Sequence, residues 1–218
     1  MSPAAGRFDA FWSALDAVPA APDAEALFVP STEAGVLRRT NLQRYLDHVG
    51  TTADTLLVAE APGWRGMTNT GIPFTSMREL RAMETDATGM PQLGFDPLVP
   101  PAPTAEWEAS SRVVQAALAE WHGPLPLAWA IFPHHPFAAP DRLTNRTPRP
   151  SEVRDGAPVA LALLDALGGA SRVRVVAVGR KAQGALATAG IEAVAVRHPA
   201  QGGARQFTEE LRALNRAG

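Results

Sequence analysis

The 218-residue chain has no cysteine. That removes disulfides, thiolate zinc sites, Cys-ligated iron–sulfur clusters and a thiol nucleophile together. It also has no run of about 20 apolar residues of the kind that spans a bilayer. Its start, Met1-Ser2-Pro3-Ala4-Ala5-Gly6-Arg7, lacks the positive end and apolar centre of a signal peptide, so a soluble, cytoplasmic protein is expected. Neither charge sign is in large excess: the net value is −2, which excludes a generally basic, phosphate-coating protein. G-x-G-x-x-G, a Walker P-loop, G-x-S-x-G and H-E-x-x-H are missing too, and with them the commonest nucleotide, esterase and metalloprotease signatures. What remains is 46% hydrophobic and 19% charged, with 18 Gly and 20 Pro, below the roughly 25–30% Pro plus Gly of low-complexity chains. A single globular domain over 1–218 is expected, long enough to bury a sizeable core.

The charge is uneven along the chain. Residues 1–110 carry 7 Arg against 14 acidic residues, and residues 111–218 carry 13 Lys and Arg against 8. A local basic face is compatible with that asymmetry, because attraction for a polyanion depends on where charges sit.

Helical spacing of apolar residues predicts amphipathic helices at 7–18 (Phe8, Phe11, Trp12, Leu15, Val18) and 36–49 (Leu37, Leu42, Tyr45, Leu46, Val49). Further helices are expected near 104–121, 151–168, 180–189 and 204–216. Four short apolar runs read as strands, 55–60, 126–132, 172–178 and 191–196, each running into a loop of Pro, Gly or polar residues. The stretch 84–103 has little periodicity and reads as a long loop. Strands alternating with helices imply a parallel sheet covered on both faces, a three-layer α/β/α sandwich with a central four-stranded parallel sheet. In such sheets ligands sit beyond the carboxyl ends of the strands, and three of the four exits here carry unusual polar residues.

The adjacent pair His134-His135 points its rings in different directions in an extended segment, so a shared metal needs other ligands. No metal and no cofactor is called for. The first strand exit reads Ala59-Glu60-Ala61-Pro62-Gly63-Trp64-Arg65-Gly66, followed by Thr70-Gly71-Ile72-Pro73-Phe74. Later come Asn145-Arg146-Thr147-Pro148 and, after the last strand, Arg197-His198-Pro199-Ala200-Gln201-Gly202-Gly203. Together and in this order these segments resemble the uracil-DNA glycosylase superfamily, whose iron–sulfur branch carries G-E-A-P-G, T-G-x-P-F and N-R-T-P elements and whose members share a later H-P-S-like motif.

The resemblance implies an enzyme that draws a deaminated nucleotide out of DNA and hydrolyses the bond between base and deoxyribose. On that basis Glu60 positions or activates the attacking water or stabilises a cationic sugar. His198 donates to the base oxygen on which negative charge gathers, and Phe74 stacks on the extruded base. Ala61, Pro62 and Gly63 line the base site, where main-chain N–H groups are available. Gln201, Gly202 and Gly203 form a loop for the minor groove, with Arg146, Arg197 and Arg205 attracting phosphate. Each residue also has a plainer account. Phe74 fits an ordinary core, His198 a surface loop, Glu60 a solvated strand end or a partner of Arg65, Gly63 a tight turn, and the arginines solvated surface.

The chain departs from the family pattern in places. The cluster-binding cysteines of the G-E-A-P-G branch are absent, which makes it a cluster-free relative. Ala130 stands where many members use an Asn amide to read the uracil edge, so a uracil reader is missing. Ala200 replaces a common Ser, and Ala61 replaces the Asp or Asn that other branches use to hold water. No lysine lies in the matched motifs to form a Schiff base, so a monofunctional, monomeric glycosylase leaving an abasic site is expected. Its partner is DNA bearing a damaged or deaminated base, and no membrane. The alternatives are a catalytically impaired DNA-binding member and a hydrolase of small nucleosides.

Overall fold

The computed structural model describes residues 6–85 and 96–216. In chain order the elements are α1 (Asp9–Asp16), β1 (Ala24–Glu25), α2 (Glu33–Val49), β2 (Thr55–Ala59), α3 (Met67–Thr70), α4 (Met77–Thr85) and α5 (Ala109–Leu118). They continue with β3 (Leu127–Ala130), β4 (His135–Pro136), α6 (Pro150–Ala166), β5 (Arg174–Val178), α7 (Arg180–Thr188), β6 (Val194–Val196) and α8 (Ala204–Arg216). The strands β3-β2-β5-β6 form one parallel sheet in that order, with Leu56 beside Leu127 and Val175, and Val176 beside Val194.

Alternation along the strands sorts their side chains onto two faces. Leu56, Val58, Leu127, Trp129, Val175 and Ala177 pack with residues of α1, α2, α6 and α7. Leu57, Ala128, Val176 and Val178 pack with Val114 and Leu118 of α5 and Phe207 and Leu211 of α8. This is the expected α/β/α arrangement with a central four-stranded parallel sheet. Both faces are covered, which is why β2 and β3 read as unbroken apolar runs with every residue buried.

The helices start where local chemistry closes their first turns. Thr32 Oγ1 accepts from the Gly35 N–H at 3.0 Å to begin α2. Pro150 occupies the first turn of α6, whose Glu152 carboxylate accepts from the Arg149 N–H at 2.7 Å. Four features differ from the sequence-based expectation, the first being α4, a nine-residue helix where none was expected. Helix α5 is shorter than 104–121, since 101–107 has no apolar stripe to bury. A one-turn α3 appears, stopped by Gly71 at φ 76°. The two-residue strands β1 and β4 pair antiparallel, Glu25 opposite His135. Of the stretch read as a loop, Glu84 and Thr85 close α4, 86–95 lies outside the described residues, and 96–103 has no regular structure.

From β2 the chain crosses through α5 to β3 at one edge, whereas from β5 it crosses through α7 on the opposite face to β6 at the other. The loops leaving β2 and β5 therefore diverge, and the crevice between their carboxyl ends is the switch point at which such sheets bind ligands. Among the described residues no helix is long and apolar enough to cross a membrane.

Candidate active site

At that crevice lies a cavity of about 230 Å³, lined by Ala59 to Gly63, Met67, Pro73, Phe74, Glu108, Ser110, Ala130, Asn145, Arg146, His198 and Ala200. It is smaller than the roughly 300–1,000 Å³ of pockets for drug-sized ligands. Glu60, Ala61, Pro62, Gly63, Phe74, Ala130, Arg146 and His198, singled out from sequence, all reach it from five separate segments.

The first loop is held from both sides. His135 Nδ1 lies 3.0 Å from Pro62 O and its Nε2 lies 3.1 Å from Arg142 O, while His134 Nε2 turns to Val18 O at 3.0 Å. The paired histidines thus brace backbone, and among the described residues no group of three or more His, Asp or Glu is placed to hold a metal. Thr68 Oγ1 donates to Gly63 O at 2.8 Å, and the Trp64 N–H donates to Asn145 Oδ1 at 3.1 Å. The latter bond ties the first motif to the N-R-T-P segment 81 residues away.

Phe74 is set by its turn. Thr70 Oγ1 donates to Thr75 O at 2.8 Å and accepts from the Ile72 N–H at 3.1 Å, and Gln115 Nε2 donates to Phe74 O at 3.1 Å. The backbone at Phe74 adopts φ 51°. That left-handed conformation is costly for a bulky residue and persists because the surrounding hydrogen bonds hold it.

Glu60 follows the last residue of β2 and is half-buried. Burial pushes its carboxyl above the ordinary glutamate value, and the nearby Lys181 ammonium pulls part of the way back. Lys181 Nζ, at the start of α7, is 3.9 Å from Glu60 Oε2, with 64% of the lysine side chain exposed. The alternative partner, Arg65, instead stacks on Trp64, its guanidinium carbon 4.4 Å from the ring centre.

His198 sits on the loop after β6. Its Nδ1 accepts from the Ala200 N–H at 3.1 Å, so the neutral ring carries its proton on Nε2, free to donate. Burial first, then the Arg197 and Lys181 charges, hold its pKa below the usual histidine value, which keeps the ring neutral near pH 7. The backbone packs closely around it. A Cβ on Gly203 would lie 2.1 Å from His198 O, and one on Gly179, at φ 93°, would lie 2.9 Å from His198 Cβ.

Two residues expected to contact DNA are engaged within the protein. Arg146 is only 17% exposed and is bound to Glu152 Oε1 at 2.6 Å and Asp23 Oδ2 at 3.0 Å. Arg149 joins the same pair and, with Arg146, holds the Asp23 carboxyl far below the carboxylate range. These guanidinium donors fasten α6 to the loop before β1. Gly203 is buried against His198. Arg197, Gln201, Gly202 and Arg205 are exposed outside the cavity lining, with Gln201 and Gly202 both at positive φ, 53° and 78°.

Sequence reasoning missed Glu108 and Ser110 as pocket residues and Lys181 as the neighbour of Glu60. Glu108 lay within a stretch read simply as helix. Lys181 follows a strand that carried no recognised motif, although it is the only lysine in the chain.

The fold and the placement of the cavity define an α/β protein with a cavity at the carboxyl ends of a parallel sheet. The chain is similar in structure to wild-type Pedobacter heparinus SMUG2, with a TM-score of 0.58 and 16% identity over 92% of each chain. That likeness establishes the fold. No family model and no curated protein matches the sequence.

Proposed function

We propose that the protein is a monofunctional DNA glycosylase of the uracil-DNA glycosylase superfamily, hydrolysing the N-glycosidic bond of uracil or another deaminated base and leaving an abasic site. The observation that carries this reading is the convergence, in one cavity, of Glu60, Phe74, Asn145 and His198 from motif segments 14 to 138 residues apart. The fold shared with SMUG2, a member of that superfamily, supports it.

In this mechanism the extruded base lies against Phe74, whose stacking, worth about 1–3 kcal/mol, offsets the few kcal/mol of extrusion. As the bond to C1′ breaks, negative charge moves onto the base and meets the Nε2–H of His198. A preorganised donor of this kind contributes roughly 3–4 kcal/mol. Glu60, whose pKa Lys181 draws down against the upward push of burial, faces the positive sugar and takes the proton of the attacking water. Phosphates on either side meet Arg197, Arg205 and the exposed loop at Gln201 and Gly202.

Oligonucleotides carrying uracil, hypoxanthine or xanthine, single-stranded and duplex, should develop alkali-labile sites with wild-type protein. Glu60→Gln and His198→Ala should reduce the yield by at least about 10². Absence of cleavage at every base would reject the reading.

A second reading, a DNA-binding member without turnover, is favoured by Ala130, which lines the cavity where the family has an amide. Salt-dependent binding of damaged DNA without base release would establish it. Gain of uracil cleavage on Ala130→Asn would then identify the missing amide as the cause.

A further inference from the structure

The cavity holds a second carboxyl group. Glu108 precedes α5 and projects between Gly63 and Gly66, where a Cβ would lie 2.7 Å from its Oε1 at Gly63 and would collide with Oε2 at Gly66. The Ser111 hydroxyl donates to Oε2 at 2.6 Å, and Oε1 has no hydrogen-bond partner among the described residues. Two glycines in the first loop thus make room for the carboxyl group of a residue that lines the cavity.

The two carboxyls have opposed surroundings. Glu60, its side chain 26% exposed, lies beside the Lys181 ammonium. Glu108 faces Arg65 from the loop after β2 and Glu79 from α4. Glu79 is 1% exposed and held by the Ser76 N–H at 3.1 Å. Asn145 lies across Gly63, and Glu60 and His198 complete the cavity. Burial is the largest influence on Glu108 and pushes its pKa up. The Ser111 hydrogen bond opposes this, Glu79 adds to it, and Arg65 partly offsets it. Two carboxyls in one site, one beside a cation and one sunk near another acid, is the arrangement that divides base from acid.

We propose that Glu108 is the acid of this site, donating its carboxyl proton to the departing base while Glu60 takes the proton of the attacking water. The inference rests on the glycosylase reading and deepens it. The C1′–N bond breaks with its electron pair going to the base, and the Glu108 proton neutralises that pair at a ring nitrogen or carbonyl oxygen. Water supplies hydroxyl to C1′ and a proton to Glu60, and solvent returns that proton to Glu108. One water is consumed, with no other co-reactant. The substrates that need this acid most are bases that leave poorly as anions, and an electron-poor base such as 5-fluorouracil needs it least.

The test compares wild type, Glu108→Gln and Glu108→Ala on oligonucleotides carrying 5-fluorouracil, uracil and hypoxanthine across pH. Gln keeps the shape and the Ser111 contact but has no acidic proton. Both variants should lose about 10²-fold on the poorest leaving group and little on 5-fluorouracil, and the alkaline fall in the wild-type rate should vanish. An equal loss on all three bases, or an unchanged pH profile, overturns the proposal. Infrared difference spectra, wild type minus Glu108→Gln, read the protonated carboxyl without turnover. Absence of its carbonyl band just above the ordinary glutamate range overturns the acid role whatever the activity. A band in a protein that releases no base would keep the acid and discard the glycosylase.

Discussion

Replacing Lys181 by Met takes away the ammonium that lies 3.9 Å from Glu60 Oε2. Burial pushes the Glu60 pKa up and Lys181 pulls it down, so the substitution should move it further up and with it the acid limb of the rate profile. Two unit charges at this separation interact by about 1 kcal/mol in water and about 4 kcal/mol at the effective dielectric of about 20 typical of pairs near a protein surface. Lys181 is 64% exposed and Glu60 26%, so the screened figure governs. About 1 kcal/mol corresponds to roughly half to one pH unit. Single-turnover base release at low salt, measured from about pH 4.5 to about pH 8, reads the limb. Lys181→Arg should restore it, and salt should shift the wild-type limb the same way as Met. Lys181 also depresses His198, and its loss raises both groups; the Glu60→Gln background isolates the histidine's share. A limb that stays put, or moves to lower pH, refutes the assignment of Glu60 as the ionised base.

Gly203→Ala should cost activity out of proportion to stability, because the new methyl would sit 2.1 Å from His198 O and must shift the loop. A stability loss of about 1–3 kcal/mol with kcat reduced by at least about 10² is expected, from urea unfolding beside kinetics. Phe74→Ala should weaken binding of free base about 10- to 100-fold, the loss of one stacking contact. Unchanged affinity by calorimetry would return Phe74 to an ordinary wall residue. Arg146→Ala leaves Glu152, whose side chain is 7% exposed, without its main partner. It should cost about 3 kcal/mol in urea unfolding while the salt dependence of DNA binding stays put, whereas a phosphate contact would lower that slope by about one.

The sheet was legible because apolar runs bounded by Pro and Gly are what a doubly covered parallel strand must look like, and 55–60, 126–132, 172–178 and 191–196 all enclose observed strands. The one-turn α3 and the two-residue pairing of β1 with β4 were not legible, because neither is long enough to print a period. In the site, the residues that reached the cavity were those in contiguous motifs. The ion pairs of Arg146 were not legible because a sequence shows a cation and not its partners; Asp23 lies 123 residues away in the chain. Glu108 escaped for the converse reason. Its surroundings come from Gly63, Gly66, Ser111 and Glu79, and only Ser111 is its neighbour in sequence.

The alanine at 130 alters what the cavity can do on the glycosylase reading. A polar reader rejects a wrong base strongly because its own buried groups are left unpaired, and a methyl group has nothing to leave unpaired. The wall around Ala130 then supplies shape, through Met67, Pro73 and Phe74, and discrimination passes to two other stages. One precedes entry, where mispaired or unpaired bases are the least costly to extrude. The other is bond breaking, where His198 and Glu108 face the charge on the leaving base. Catalytic groups that serve any base leaving with negative charge are consistent with such a site, and Glu60, which faces the sugar common to all of them, acts at neither stage of selection.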